Sequence, residues 1–199
     1  SVRLAEPRNW CVWQCPLRLA AGGRHLTAIS IAEEKVTKTK FLRFENIDED
    51  PAPRDIRFTI LGDGSLEGEE ASLVKLPDGR LFAVMRSRYG TPLWTQSRDG
   101  GETWTKPVSS TFYGHATTPF LLKLSDGGVI ALWNNTRILP ELDHNTQIPP
   151  LGQSIINGTW EDVFTNRDAA HAALSRDNGK TFTGYREILL NGTMQGGFT

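Results

Sequence analysis

Two aspartates stand at matching places in nearly identical phrases: Asp99 in "SRDGGETW" (97–104) and Asp177 in "SRDNGKTF" (175–182), 78 positions apart. Such a carboxylate can bind a cation or fasten its own turn. Calcium loops want several alternating oxygen ligands, and each phrase offers a single acid. The fastener reading wins. The carboxylate accepts the turn's own backbone amides, Gly101 and Gly179 take the left-handed angle, and Trp104 or Phe182 folds over the corner while Ser97 and Thr103 close the polar loop. Cys11 and Cys15, in "WCVWQCP", are the next candidates. Extended, four residues span ~13 Å, beyond the roughly 7 Å a disulfide allows. A zinc half-site needs a second Cys/His pair at ligand spacing, and the sequence supplies none. The cysteines are therefore expected to be buried on one face of a strand with Trp13, and no cofactor or metal is expected. His115 and His171 each fall where a repeated unit enters or leaves a strand. Either would line a channel as a proton shuttle, or pack as an ordinary rim histidine.

The elements that would position these residues are repeats. "LVKLPDGRLFAVMRS" (73–87) and "LLKLSDGGVIALWNN" (121–135) align without gaps at an offset of 48, and "LRLAAGGRHLTAISI" from Leu17 is a fainter copy. Apolar run, Asp-Gly or Gly-Gly turn, apolar run is the pattern of a β-hairpin. The Ser-Arg-Asp phrases form a second hairpin further along each unit. Two hairpins make a four-stranded sheet, and such sheets arrayed around an axis are propeller blades. Strands apolar on both faces, with Leu81, Ala83 and Met85 against Phe82 and Val84, suit sheets packed between neighbouring sheets. The fold class is all-β: one incomplete β-propeller domain over residues 1–199, with units at about 10–67, 68–113 and 114–190 and an insertion loop at about 136–166. Three blades do not close a ring, since propellers need roughly four to eight. The remainder is expected from missing sequence or another chain.

Bulk composition suggests neither a nucleic-acid binder, nor a disordered chain, nor a membrane protein. A formal charge of −1 over 199 residues argues against nucleic acid as partner. No apolar run approaches the ~18 residues of a membrane span, and no signal-peptide pattern opens the sequence.

The phrase Ser-x-Asp-x-Gly-x-Thr-Trp is the Asp-box, and in this setting the chain resembles the sialidase superfamily of six-bladed propellers. Glu70 followed by "ASLVKLPDGRLFAVMR" places Arg86 sixteen residues on, and Arg167 in "RDAAHAALSRDNGKTF" stands eight before Ser175, the spacings found in catalytic members. The resemblance covers about 70–188. It implies an exo-acting glycosidase on a carbohydrate with an acidic terminal sugar, in a secreted or periplasmic setting. Arg86 and Arg167 would be two of three arginines holding the sugar carboxylate, since a planar guanidinium grips it through two parallel hydrogen bonds. Glu70 would activate a tyrosine nucleophile lying outside this chain, a phenol being repelled less than a carboxylate by the substrate's own charge. His115 and His171 are further substrate-binding candidates, and Tyr89 and Trp94 could stack on a sugar ring. The third arginine ("RIP"-like phrase) and the acid/base aspartate have no match here, and "HATTPFLLKL" departs from typical sialidases. That leaves a different acidic sugar, a lyase on uronates, or a non-catalytic propeller binding glycans or proteins open beside the sialidase.

One internal observation points the same way. In the 48-residue hairpin alignment Glu70 and Thr118 hold the same place in two units. A structural requirement would repeat one residue type there, whereas a site would vary it.

Overall fold

The computed structural model describes residues 11–19, 23–33, 36–87, 90–114, 117–135 and 169–190; the expected insertion at 136–166 lies outside them. These residues form three antiparallel sheets. The first holds β1 (Cys11–Val12), β2 (Leu17–Arg18), β3 (His25–Glu33), β4 (Val36–Phe44) and β5 (Phe58–Glu67), with β1 and β2 as two short pieces along the edge of β3. The second holds β6 (Glu69–Lys75), β7 (Leu81–Arg86), β8 (Leu93–Ser97) and β9 (Val108–Ser109), paired in chain order. The third repeats that order with β10 (Phe120–Lys123), β11 (Val129–Asn134), β12 (Ala169–Ser175) and β13 (Thr183–Leu190). Neighbouring sheets touch through β6, which packs against β3 on one side and β10 on the other.

The Asp-Gly phrases close the first hairpins as the sequence predicts. Leu76 donates to the Arg80 carbonyl at 2.8 Å and Gly79 to that of Leu76 at 3.0 Å, and Leu124, Gly128 and Gly127 repeat the pair at 2.8 and 3.1 Å. The two-faced apolar pattern of β7 divides as expected. Leu81, Ala83 and Met85 pack with Leu26, Ala28 and Phe41 of the first sheet. Phe82 and Val84 pack with Leu121, Val129 and Trp133 of the third. Each of the Leu, Val, Phe and Met side chains contributes about 1.5–3 kcal/mol on full burial, so the second sheet is held from both faces. Trp94 belongs to this core rather than to a sugar platform: its ring lies 5.7 to 6.0 Å from those of Phe82, Phe112 and Phe182.

The two aspartate turns are fastened as their residue types suggest. Asp99 accepts from the Ser97 hydroxyl at 2.8 Å and from the Thr103 amide at 2.9 Å, while Ser97 Oγ accepts the Gly101 amide at 2.9 Å. Asp177 repeats this with Ser175 and Thr181, each at 2.9 Å, and Ser175 Oγ accepts the Gly179 amide at 3.0 Å. Trp104 donates to the Gly101 carbonyl at 3.0 Å and stacks on Phe41 with ring centroids 3.8 Å apart. Gly101 has φ +98°, which strains any residue with a side chain, and a Cβ there would lie 3.0 Å from Leu26 Cδ2, which would have to give way. Ser97→Ala would leave the buried Gly101 amide without its acceptor. It is expected to cost about 1–3 kcal/mol, read as a lower urea midpoint at unchanged slope.

Hydrogen bonds from Thr103 hold the Asp99 carboxyl down to about 2, and those from Thr181 do the same for Asp177, from an ordinary 3.8. A depressed folded value means stability that is fully present above the unfolded value and lost as pH falls through the folded one. The charge-dependent contribution of both carboxylates is therefore fully present above about pH 4, weakens between pH 4 and 2 and is lost below. Acid titration of tryptophan fluorescence should show this limb, and Thr103→Val with Thr181→Val should flatten it.

One expectation fails. Cys11 and Cys15 are exposed free thiols, not buried strand residues, and Trp13 is 48% exposed. The strand stops at Val12 because the Gln14 side-chain amide binds the backbone of β6, accepting from Leu73 N at 2.6 Å and donating to Leu73 O at 3.2 Å. That pulls the chain off β3 before Cys15 can pair.

Candidate functional site

The segment "LEGEEASL" leaves β5 at Glu67 and starts β6 at Glu69. Glu69 pairs with Arg86 but Ser72 pairs with Val84. Three steps along β6 thus answer two along β7, and the surplus residue makes a bulge. Glu70 sits in it with φ +51°, a left-handed angle costing a non-glycine residue about 1–2 kcal/mol. Neighbours impose it: the Glu70 amide donates to Ser30 Oγ of β3 at 2.9 Å, and the Gly68 carbonyl accepts from Thr39 Oγ1 of β4 at 2.9 Å. Strained, over-determined positions of this kind collect at functional sites.

The side chain is as constrained as the backbone. Glu70 Oε1 accepts from Arg86 Nη1 at 2.6 Å, with the two side chains 8% and 15% exposed. Thr118, from the segment leading into β10, donates its hydroxyl to Glu70 Oε2. Arg86 Nε lies 3.6 Å from Glu69 Oε1 and, though buried, makes no hydrogen bond. The result is a near-buried carboxylate with both oxygens engaged, beside a guanidinium with donor capacity to spare. Such a pair can take a proton from a hydroxyl or hold an anion.

Of the residues singled out in the sequence, Glu70 and Arg86 come together. His171 lies on β12 opposite Trp133 of β11 and Glu187 of β13. Its Nε2 is 3.4 Å from Asn135 Nδ2, and its buried Nδ1 has no hydrogen-bond partner. Among the described residues no hydrogen bond or ion pair joins it to Glu70 or Arg86. Arg167, His115 and Tyr89 lie outside the described residues. Sequence reasoning missed the roles of Ser30 and Thr118. Thr118 had a signal, since the 48-residue repeat puts it in Glu70's place in the next sheet; Ser30 had none. Among the described residues no group of acids, histidines or cysteines is placed to hold a metal ion.

A family model described as a BNR repeat-like domain matches residues 12–195. The chain belongs to that family. Solved structures similar to this BNR repeat-like domain include a K499G mutant of NanB sialidase from Streptococcus pneumoniae, at 18% identity and TM-score 0.57, covering 88% of this chain and 23% of that one. A protein of unknown function from Dyadobacter fermentans matches at 17% identity and TM-score 0.54, over 87% of this chain and 40% of that one. The catalytic domain of a Coprinopsis cinerea GH62 α-L-arabinofuranosidase matches at 10% identity and TM-score 0.51, over 88% and 50%. At these identities the likeness concerns the fold: an all-β sialidase-type propeller, of which this BNR repeat-like domain spans half or less of each of these chains. No curated protein matches the sequence.

Proposed function

We propose that this BNR repeat-like domain carries part of the active site of a sialidase-like glycosidase acting on a terminal acidic sugar. The observation that carries the reading is the strained, nearly buried Glu70 with its carboxylate on Arg86. Glu70 takes the proton of the attacking hydroxyl, and Arg86, joined by Arg167, grips the sugar's carboxylate through paired charge-assisted hydrogen bonds. The tyrosine nucleophile, the third arginine and the acid/base aspartate are supplied from outside the residues assigned here. The likeness to NanB, a sialidase by its description, supports this substrate class.

One observation favours a second reading. Arg86 already spends Nη1 on Glu70, as it would in a non-catalytic propeller whose ion pair only braces the bulge.

Turnover of a 4-methylumbelliferyl α-sialoside by the complete polypeptide separates the two. Glu70→Ala is expected to lower kcat about 10²- to 10⁴-fold, the range of a lost general base. Arg86→Lys is expected to lower kcat/KM about 10- to 100-fold, the loss of one charged hydrogen bond of the pair. Unchanged turnover in both variants would remove these assignments and leave the fold standing.

A further inference from the structure

We propose that Thr118 is the positioning residue of the Glu70 carboxylate, an inference that rests on the reading of Glu70 as a base. A carboxylate's terminal torsion is broad and roughly two-fold. Arg86 Nη1 on Oε1 alone would leave the group free to swing about that contact. The Thr118 hydroxyl on Oε2 supplies the second point that fixes its plane. Each carboxylate oxygen offers about two acceptor sites, so a donor on one site of Oε2 leaves a second with which to accept a proton.

Thr118 is itself well anchored. Pro119 restricts it to extended backbone, and its β-branched side chain is stiff at χ1. The strand it leads into is tied to β6 where the Leu121 amide donates to Ser72 Oγ at 2.9 Å. Thr118 is also exposed while Glu70 is buried. The hydrogen bond between them thus joins an exposed residue to a buried acid. The acid comes from the second sheet, its backbone brace Ser30 from the first and its side-chain brace from the third. Propeller packing thus assembles the group from three sheets.

The test uses the complete polypeptide and 4-methylumbelliferyl α-sialoside, with thermal unfolding to confirm that each variant is folded. Thr118→Val is expected to lower kcat about 10- to 100-fold, the scale of a small misplacement of a reacting group, with KM within about threefold. Thr118→Ser, which keeps the donor, is expected to restore kcat to within about threefold. In a Glu70→Gln background Thr118→Val should change nothing further, because coupled residues are non-additive. Should Thr118→Val prove unfolded, Thr118→Ala replaces it. Wild-type kcat in Thr118→Val, with Glu70→Ala still inactive, would overturn the role of Thr118 and leave Glu70 as the base. Equal losses in Thr118→Val and Thr118→Ser would overturn it too, showing a packing effect. Turnover indifferent to Glu70→Ala, or absent in the wild type, would remove the base and its positioning residue together.

Discussion

Arg86→Met is expected to destabilise the chain by about 3 kcal/mol, the scale seen when one partner of a buried ion pair is removed. The reason is asymmetric. The Glu70–Arg86 contact is 2.6 Å long and only 8% and 15% of the two side chains reach solvent. Taking away the cation leaves a carboxylate in a poorly hydrated place with the Thr118 hydroxyl as its remaining side-chain donor. Against a typical total of about 5–15 kcal/mol, such a loss is large. Adding Glu70→Gln to Arg86→Met should return at least about 1 kcal/mol, because a neutral amide tolerates the site better than an orphaned charge. Urea unfolding followed by tryptophan fluorescence measures both variants. A change below about 0.5 kcal/mol in Arg86→Met would mean that the pair behaves as an exposed one.

Gly68→Ala is expected to cost about 3 kcal/mol and to lower activity as well. Gly68 has φ +105°, and a Cβ built there lies 2.9 Å from Met85 Cβ and 3.3 Å from the Arg86 carbonyl. Neither neighbour is the loose end of a flexible side chain, so the backbone itself must move. Conformational strain alone accounts for about 1–3 kcal/mol, and displacement of the packed Met85 adds to it. Gly68 is two residues from Glu70 and its carbonyl is pinned by Thr39, so relief of the clash shifts the bulge that aims the carboxylate. The check is a parallel loss of urea midpoint and of kcat. Full kcat in a destabilised Gly68→Ala would separate the bulge from the chemistry.

What the sequence revealed follows from how local each signal is. The Asp-Gly hairpins, the Ser-x-Asp-x-Gly-x-Thr corners and the alternation of Leu81, Ala83 and Met85 with Phe82 and Val84 each depend on a few adjacent residues, and the structure matches them. The spacing of Glu70 and Arg86 was legible because β6 and β7 are one hairpin, which makes a sequence interval into a distance. The bulge was not. A glutamate prefers ordinary strand angles, and its left-handed angle comes from Ser30 and Thr39, some 30 to 40 residues earlier. The cysteines were misplaced for the same reason, since alternation assumes an unbroken strand and the Gln14 contact with Leu73, 59 residues on, breaks it. Trp94 was open to a sugar-facing role until aromatic partners from two sheets enclosed it.

The most direct measurement is a crystal structure of the complete polypeptide with an unsaturated, planar-ring sialic acid analogue, a mimic of the flattened ring in the transition state. If Glu70 and Arg86 form the site, the analogue's carboxylate sits within hydrogen-bond distance of the Arg86 guanidinium and its ring lies over Glu70. A ligand carboxylate bound elsewhere, with the Glu70–Arg86 pair undisturbed, would show that the pair braces a bulge and binds no substrate.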